Sequence, residues 1–323
     1  MKVLVTGANG FVGSHVAERL AARGVELRLL LRPTSRLRFL EGIDYERVDG
    51  DVRDPESLAK AVEGVDAVAH LAVLTAAVSE RLFQEVNAIG TANLVRAAQH
   101  AGVGRFVYVS SLAAQGPNPD RDTLVVEPPR PVSAYGRSKL AGEHPVFAAQ
   151  HNMSVAVIRP SAVYGQRDRA LLPLYRMGKL GAIPVYGDGR NLLSWIHVHD
   201  AASAIVAATM AEGPSGATYF VSDGGFYTWL DLVDAFGRAW GRRPRVIKGP
   251  GQLFTAAGYA GGVLQTVSRR ALTLNPDQIR HMRARYWICD NSAITADLGW
   301  CPRVGLDEGF AETLAWYREQ RWL

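Results

Sequence analysis

The first half of the chain alternates between two hydrophobic patterns. Short runs at residues 2–5, 26–31, 45–48, 65–70, 105–110 and 155–159 read as strands. Between them apolar residues return at helical spacing. Val12, Val16, Leu20 and Ala21 share one face, and the stretches 84–100 and 133–150 read as helices. Strands that alternate with helices at such short intervals predict a parallel sheet covered on both faces. From Pro160 the pattern loosens, as Gly and Pro punctuate positions 165, 173, 178, 181, 184, 187 and 189. A short strand and helix at about 194–210 are expected to return to the sheet. From about Phe226 the sequence is irregular and rich in helix. The expected organisation is a sheet-bearing unit over 1–160, rejoined by 194–222, with a smaller cap from 161–193 and 223–323.

The junction of the first strand and first helix carries the earliest chemistry. In Thr6-Gly7-Ala8-Asn9-Gly10-Phe11-Val12-Gly13, glycines stand where strand turns into helix. Gly7 permits the tight turn, Gly10 lets the backbone approach a pyrophosphate, and Gly13 lets the helix pack close to the strand. Phosphates would rest on the helix N-terminus, where free N–H groups and the dipole favour negative charge. This dinucleotide-binding unit defines the expected fold class: α/β, a Rossmann-type doubly wound parallel sheet with a smaller C-terminal substrate-binding cap. About 20 residues past the glycines an acid would bind the ribose 2′-OH of NAD. Here the second strand ends in Arg32, with Arg36 close behind. A guanidinium suits a 2′-phosphate through its planar fork. NADP(H) is therefore the preferred cofactor, with NAD(H) as the alternative.

Composition sets limits. A chain of 323 residues and 35.1 kDa, 48% hydrophobic and 21% charged, can bury a large core. The net charge of +5 comes from scattered basic residues with no aromatic-interleaved patch, so no nucleic-acid partner is expected. Cys289 and Cys301 lack metal-site spacing, and a disulfide is not expected. No window reaches the roughly 18 apolar residues of a membrane span. The first strand begins at Lys2, which leaves no room for a signal peptide. The expectation is a cytoplasmic protein without stable membrane insertion.

Candidate chemistry sits in Tyr135-Gly136-Arg137-Ser138-Lys139. Tyrosine and lysine four apart share one helix face, which would place an ammonium beside a phenol. A phenol, whose ordinary pKa is about 10, is a poor proton donor or acceptor at pH 7, and a nearby cation, helped by the oxidised nicotinamide, lowers it toward the working range. Upstream, Ser110-Ser111 end the fifth strand at the sheet's carboxyl edge, where ligands bind in such folds. His70 also ends a strand, but a lone histidine there is more often packed or hydrogen-bonded, and it is assigned no chemical role.

Taken in order, TGANGFVG (6–13), GDVRD (50–54), NAIGT (87–91), SS (110–111), YGRSK (135–139) and RPSAVYG (159–165) resemble the extended short-chain dehydrogenase/reductase family. The resemblance implies roles residue by residue. Gly7, Asn9, Gly10, Phe11, Val12 and Gly13 would hold the pyrophosphate. Asp51 would contact the adenine amino group while Val52 packs the ring, and Leu71 and Ala72 would line the ribose side. Asn87 would brace the strand and helix behind the site, and Pro160 and Val163 would complete the cofactor pocket. Tyr135 would exchange the proton, Lys139 would tune it and hold the nicotinamide ribose, and Ser111 would polarise the substrate carbonyl. Ser111 is chosen over Ser110 because family chains place this serine five residues before the glycine matching Gly116. The resemblance further implies a homodimer, paired through helices 87–100 and 138–150. Their candidate stripes are Ala88, Thr91, Val95 and Ala98 on one, and Leu140, Phe147 and Ala148 on the other.

Two departures narrow the branch. Leu193 stands where nucleotide-sugar enzymes carry an arginine after Gly-Asp-Gly, here 187–189, although Arg190 is near. Ser111 is followed by Leu112-Ala113, where sugar dehydratases place Asp-Glu. The segments LRPTS (31–35) and SWIHV (194–198) are similar to dihydroflavonol-reductase-like and hydroxysteroid-dehydrogenase-like members. That likeness implies a ketone reductase or alcohol dehydrogenase acting on an apolar small molecule. The apolar stretch 73–78 would face the substrate. The apolar stretch 253–267 reads first as a core helix, second as pocket lining and last as a membrane-surface contact. A nucleotide-sugar epimerase and a non-catalytic cofactor-binding regulator are the alternatives.

Overall fold

The computed structural model describes residues 1–211, 213–268 and 276–323. Its largest sheet has seven strands: β1 (Lys2–Thr6), β2 (Glu26–Leu31), β3 (Glu46–Asp49), β4 (Ala67–His70), β5 (Arg105–Val109), β6 (Ser154–Pro160) and the edge strand Ala217–Val221. They lie in the order Ala217–Val221, β6, β5, β4, β1, β2, β3, and every neighbouring pair is parallel. The order reverses between β1 and β4, so this Rossmann-type α/β sheet opens its crevice at their carboxyl ends.

Alternation along each strand sends side chains to two cores. Val3, Val5, Leu29, Ala69, Val107 and Ile158 pack with α1 (Phe11–Ala21) and the helix Val198–Met210. Leu4, Leu30, Val68, Phe106, Tyr108 and Val157 pack with helices Pro55–Val62, Gly90–His100 and Ala134–Ala148. Each fully buried Val or Leu contributes about 1.5–3 kcal/mol relative to an exposed one. A third, aromatic-rich core joins Tyr164, Tyr175, Phe236, Phe310 and Tyr317 within the cap segments.

The expected return to the sheet at 194–210 is corrected. The strand Trp195–His197 pairs with Ala162–Tyr164 in a separate two-stranded ladder, and only its following helix covers the sheet. The strand that rejoins the sheet is Ala217–Val221, which begins directly after the Gly216 turn. The helix expected at 84–100 begins earlier. Glu80–Phe83 runs into a π-helical turn at Gln84–Ile89 and then into Gly90–His100. On that helix Thr91, Val95 and Ala98 are buried, with Val95 and Ala98 in the second core, so those three positions of the expected dimer stripe are spent internally. The stretch 253–267 lies within the helix Gly251–Ser268, but the side chains of 253 and 263–267 lie outside the described residues.

Candidate active site

The glycine turn after β1 is held by backbone crowding. Gly7 adopts φ +72°, and a Cβ there would stand 2.7 Å from the Leu71 carbonyl and the Ala72 nitrogen at the end of β4. A Cβ on Gly13 would come within 2.1 Å of the Gly7 oxygen. Thus α1 approaches the turn as closely as a backbone can. The helix starts at Gly10 with no side-chain cap and no acid in its first turn, so its leading N–H groups are open to an anion. These features fit a dinucleotide pyrophosphate, and Asn9, Phe11 and Val12, each half-buried, flank the same turn.

Past β2, Arg32 and Arg36 are exposed, and neither guanidinium has an ion-pair partner among the described residues. The Asp51 carboxylate is clamped by Arg53 through two hydrogen bonds of 2.9 Å, which holds its pKa below the usual range. The Val52 side chain, 6% exposed, packs in the second core beside it. Asn87 sits as a brace behind the site. Its Oδ1 accepts from Leu74 N at 2.8 Å, and its Nδ2 donates to Leu74 O at 3.0 Å and Ser138 Oγ at 2.9 Å. Both amide hydrogens are engaged within the protein, so Asn87 positions rather than binds. Pro160 is buried at the end of β6, and Val163 packs half-buried against the first core.

His70 is fully buried between Thr6 and Thr91, at 2.6 Å and 2.9 Å. Because Thr91 Oγ1 donates to Asn87 O, the network assigns the His70 proton to Nε2. Both nitrogens are occupied.

Ser111 and Tyr135 meet at the carboxyl edge of β5, with Lys139 one helical turn on. The Ser111 hydroxyl is hydrogen-bonded to the Tyr135 phenol, and Ser111 also caps the short helix Leu112–Gln115 by accepting from Ala113 N at 3.1 Å. Ser110 turns the other way and donates to Glu143 Oε1 at 2.5 Å, so the two adjacent serines have different partners. The helix Ala134–Ala148 starts at the Ser133 cap and carries Tyr135 in its first turn and Lys139 one turn on. Tyr135 packs with Leu74 and Leu82 against a small apolar cluster of Ala77, Phe83 and Ala134, with Phe83 edge-on to its ring at 6.1 Å between centroids.

Burial dominates the electrostatics of the pair. Lys139 is 1% exposed, and its Nζ lies 4.1 Å from the centroid of the Tyr108 ring. Burial pulls its pKa down to about 7, against an upward pull from Glu143. Tyr135 is not lowered. Burial pushes its phenol up to about 12, and only the Ser111 hydrogen bond opposes that rise. Desolvation of the phenolate sets the direction here.

Two further residues shape the site. Glu143 sits one turn beyond Lys139, where i,i+4 periodicity could have found it, and forms a buried fork with Arg159 at 2.9 Å and 2.6 Å. Asp277, from the cap, accepts a hydrogen bond from Ala134 N at 2.9 Å and so caps the Tyr135 helix across the chain.

The profile of the NAD dependent epimerase/dehydratase family matches residues 3–222. A ceramide reductase of Caulobacter vibrioides is 31% identical, over 99% of this chain and 96% of that protein. A dTDP-glucose 4,6-dehydratase of Streptomyces niveus is 29% identical, over 99% of this chain and 94% of its own length. Among solved structures, the dTDP-glucose 4,6-dehydratase of Streptomyces venezuelae with NAD and TYD bound superposes with a TM-score of 0.81. It is 28% identical and is matched over 100% of this chain and 98% of its own.

Proposed function

The chain belongs to the NAD dependent epimerase/dehydratase family, and from that premise we propose that it is an NADP(H)-dependent oxidoreductase interconverting a ketone and a secondary alcohol on an apolar small molecule. The observation that carries the reading is the hydrogen-bonded Ser111–Tyr135 pair at the sheet's carboxyl edge, with Lys139 one turn away.

A bound nicotinamide supplies or accepts the hydride at the carbonyl carbon. Tyr135, held near pKa 12, keeps its proton at neutral pH and serves as the acid that a ketone reduction requires. Ser111 Oγ donates to the carbonyl oxygen and orients it toward the phenol. Lys139, near pKa 7, carries partial positive charge at neutrality and offers it to the cofactor ribose. The relay Leu74–Asn87–Ser138–Tyr135 fixes the helix that presents the acid, since Ser138 Oγ donates to Tyr135 O at 2.7 Å. NAD(H) binding is supported by the neighbour that holds NAD, and the NADP preference rests on the unpaired Arg32 and Arg36.

An apolar substrate is supported by the cluster around Tyr135, by the exposed Val73 and Val78 on the preceding loop, and by the likeness to a ceramide reductase. Water elimination finds no acid beside Ser111: its neighbour Leu112 packs with Phe220 and Trp287. Nucleotide-sugar epimerisation is the second reading, favoured by the likeness to dTDP-glucose enzymes. A screen following NADPH absorbance, with apolar ketones and nucleotide sugars in parallel, separates the two, since only the first consumes NADPH. Tyr135→Phe should keep cofactor binding yet lower kcat by roughly 10²-fold or more. Near-normal turnover by that variant would remove Tyr135 as the proton donor.

A further inference from the structure

We infer that His197, His199 and Glu312 form a binding site for a divalent cation of the Zn²⁺ class, independent of the redox chemistry proposed above. His197 ends the strand Trp195–His197, His199 opens the helix Val198–Met210, and Glu312 projects from the helix Leu306–Glu319. One ligand atom from each lies within 4.8 Å of the others. Glu312 Oε2 stands 3.8 Å from His197 Nε2 and 3.9 Å from His199 Nδ1, too far for hydrogen bonds.

The second observation is an unmet need. His197 is 0% exposed, and neither of its ring nitrogens has a hydrogen-bond partner. Glu312 Oε2 is likewise buried and unpartnered. Buried polar atoms are almost always satisfied, so these orphans facing one another mark a missing ligand. A tetrahedral Zn²⁺ with bonds of about 2.0–2.1 Å needs ligand atoms about 3.3 Å apart. The two Glu312 separations exceed this by about half an ångström, and the two imidazoles lie within 4.8 Å of each other. His199 and Glu312 are 31% and 38% exposed and free to close that gap, and they also leave an entry path from solvent. Neutral imidazoles and one carboxylate are the donor set of a borderline cation, with a fourth position left to water.

The surroundings hold the ligands in place. His15 stacks edge-on against His199 at 5.3 Å and points its Nε2 at Gln166 O, 3.1 Å away. Of the two arginines that act on His199, Arg19 and Arg167, the second is paired with Glu18. A cation here would clasp the last long helix of the cap to the sheet layer, which predicts a structural rather than a redox role.

The test uses the untagged full chain, stripped with chelator and titrated with Co²⁺ and Zn²⁺. One Co²⁺ per chain with visible d–d bands of four-coordinate geometry, and a thermal midpoint raised by Zn²⁺, are expected. His199→Ala and Glu312→Ala should each weaken binding at least tenfold and erase the thermal shift, while circular dichroism and cofactor binding remain. His144→Ala, on a distant exposed helix face, should change nothing. Absence of stoichiometric binding by the wild-type chain, or undiminished binding in both ligand variants, overturns the assignment.

Discussion

Replacing Glu143 by glutamine tests stability and site chemistry together. The carboxylate is 1% exposed and receives Arg159 through two hydrogen bonds and Ser110 through a third. Glutamine keeps the shape but removes the charge, and it turns an amide donor toward the guanidinium or the serine. Breaking a buried pair by removing one partner costs about 3–5 kcal/mol, because the other charge stays buried and unpaired. Unfolding entropy of about 2.1 cal/mol/K per residue, taken over 323 residues, gives about 0.7 kcal/mol/K. The thermal midpoint should therefore fall by about 4–7 °C. Lys139 responds as well. Burial lowers its pKa to about 7 while Glu143 raises it, so removing Glu143 lowers it further. NADPH binding, followed by fluorescence against pH, should lose affinity at a lower pH than in the wild-type chain. Adding Arg159→Met removes the stranded charge and should restore much of the stability but leave the binding profile displaced. A midpoint within about 1 °C of wild type, or a pH profile that does not move, would refute the coupling of this pair to Lys139.

Cofactor choice is predicted from Arg32: NADPH should bind at least tenfold tighter than NADH, about 1.4 kcal/mol, and Arg32→Asp should reverse or abolish the gap. Equal affinities in the wild-type chain exclude a 2′-phosphate role. Burial holds His70 at about 3, below its unfolded value near 6.5, so the unfolded chain takes up the proton first and stability is lost as pH falls from 6.5. From pH 7 to 5 this costs on the order of 2 kcal/mol, and denaturant melts of wild type and His70→Gln should differ by that slope. The exposed Ile89 and the half-buried Ala88, Leu140 and Phe147 remain for a two-fold partner, so we predict a homodimer. Light scattering at micromolar concentration should give twice 35.1 kDa, and a mass of one chain removes the pairing.

What the sequence made legible is what its physics keeps local. The turn from Thr6 to Gly13 is a matter of backbone space within one βα unit, and Gly7 and Gly13 carry that requirement in their missing side chains. Tyr135 and Lys139 share a helix face by periodicity alone, and Ser111 sits at the strand end that follows from the apolar run before it. The expected strand at 105–110 is likewise realised to within one residue as Arg105–Val109. The edge strand Ala217–Val221 was harder to find, since its five residues pair only with β6, some sixty positions earlier.

The sign of the Tyr135 shift was beyond local reading for a deeper reason. Spacing brings a lysine near a tyrosine, but it does not say how much water either retains. The structure buries Lys139 and half-buries Tyr135, and desolvation raises the phenol while lowering the ammonium, opposite to the pairing that spacing suggests. That burial is assembled from distant parts: Phe83 and Ala77 from before the site, Asp277 from 143 residues beyond Ala134, and the Glu143–Arg159 fork from two adjacent elements. A Ser-Tyr-Lys set in this state is armed with a proton on Tyr135 and only partial charge on Lys139. A negatively charged cofactor phosphate entering the α1 N-terminus, or the Glu143 carboxylate already in place, would favour the charged lysine. The proton inventory of the site is thus decided in part by groups outside the motif, and Glu143, which raises the Lys139 pKa, is one of them.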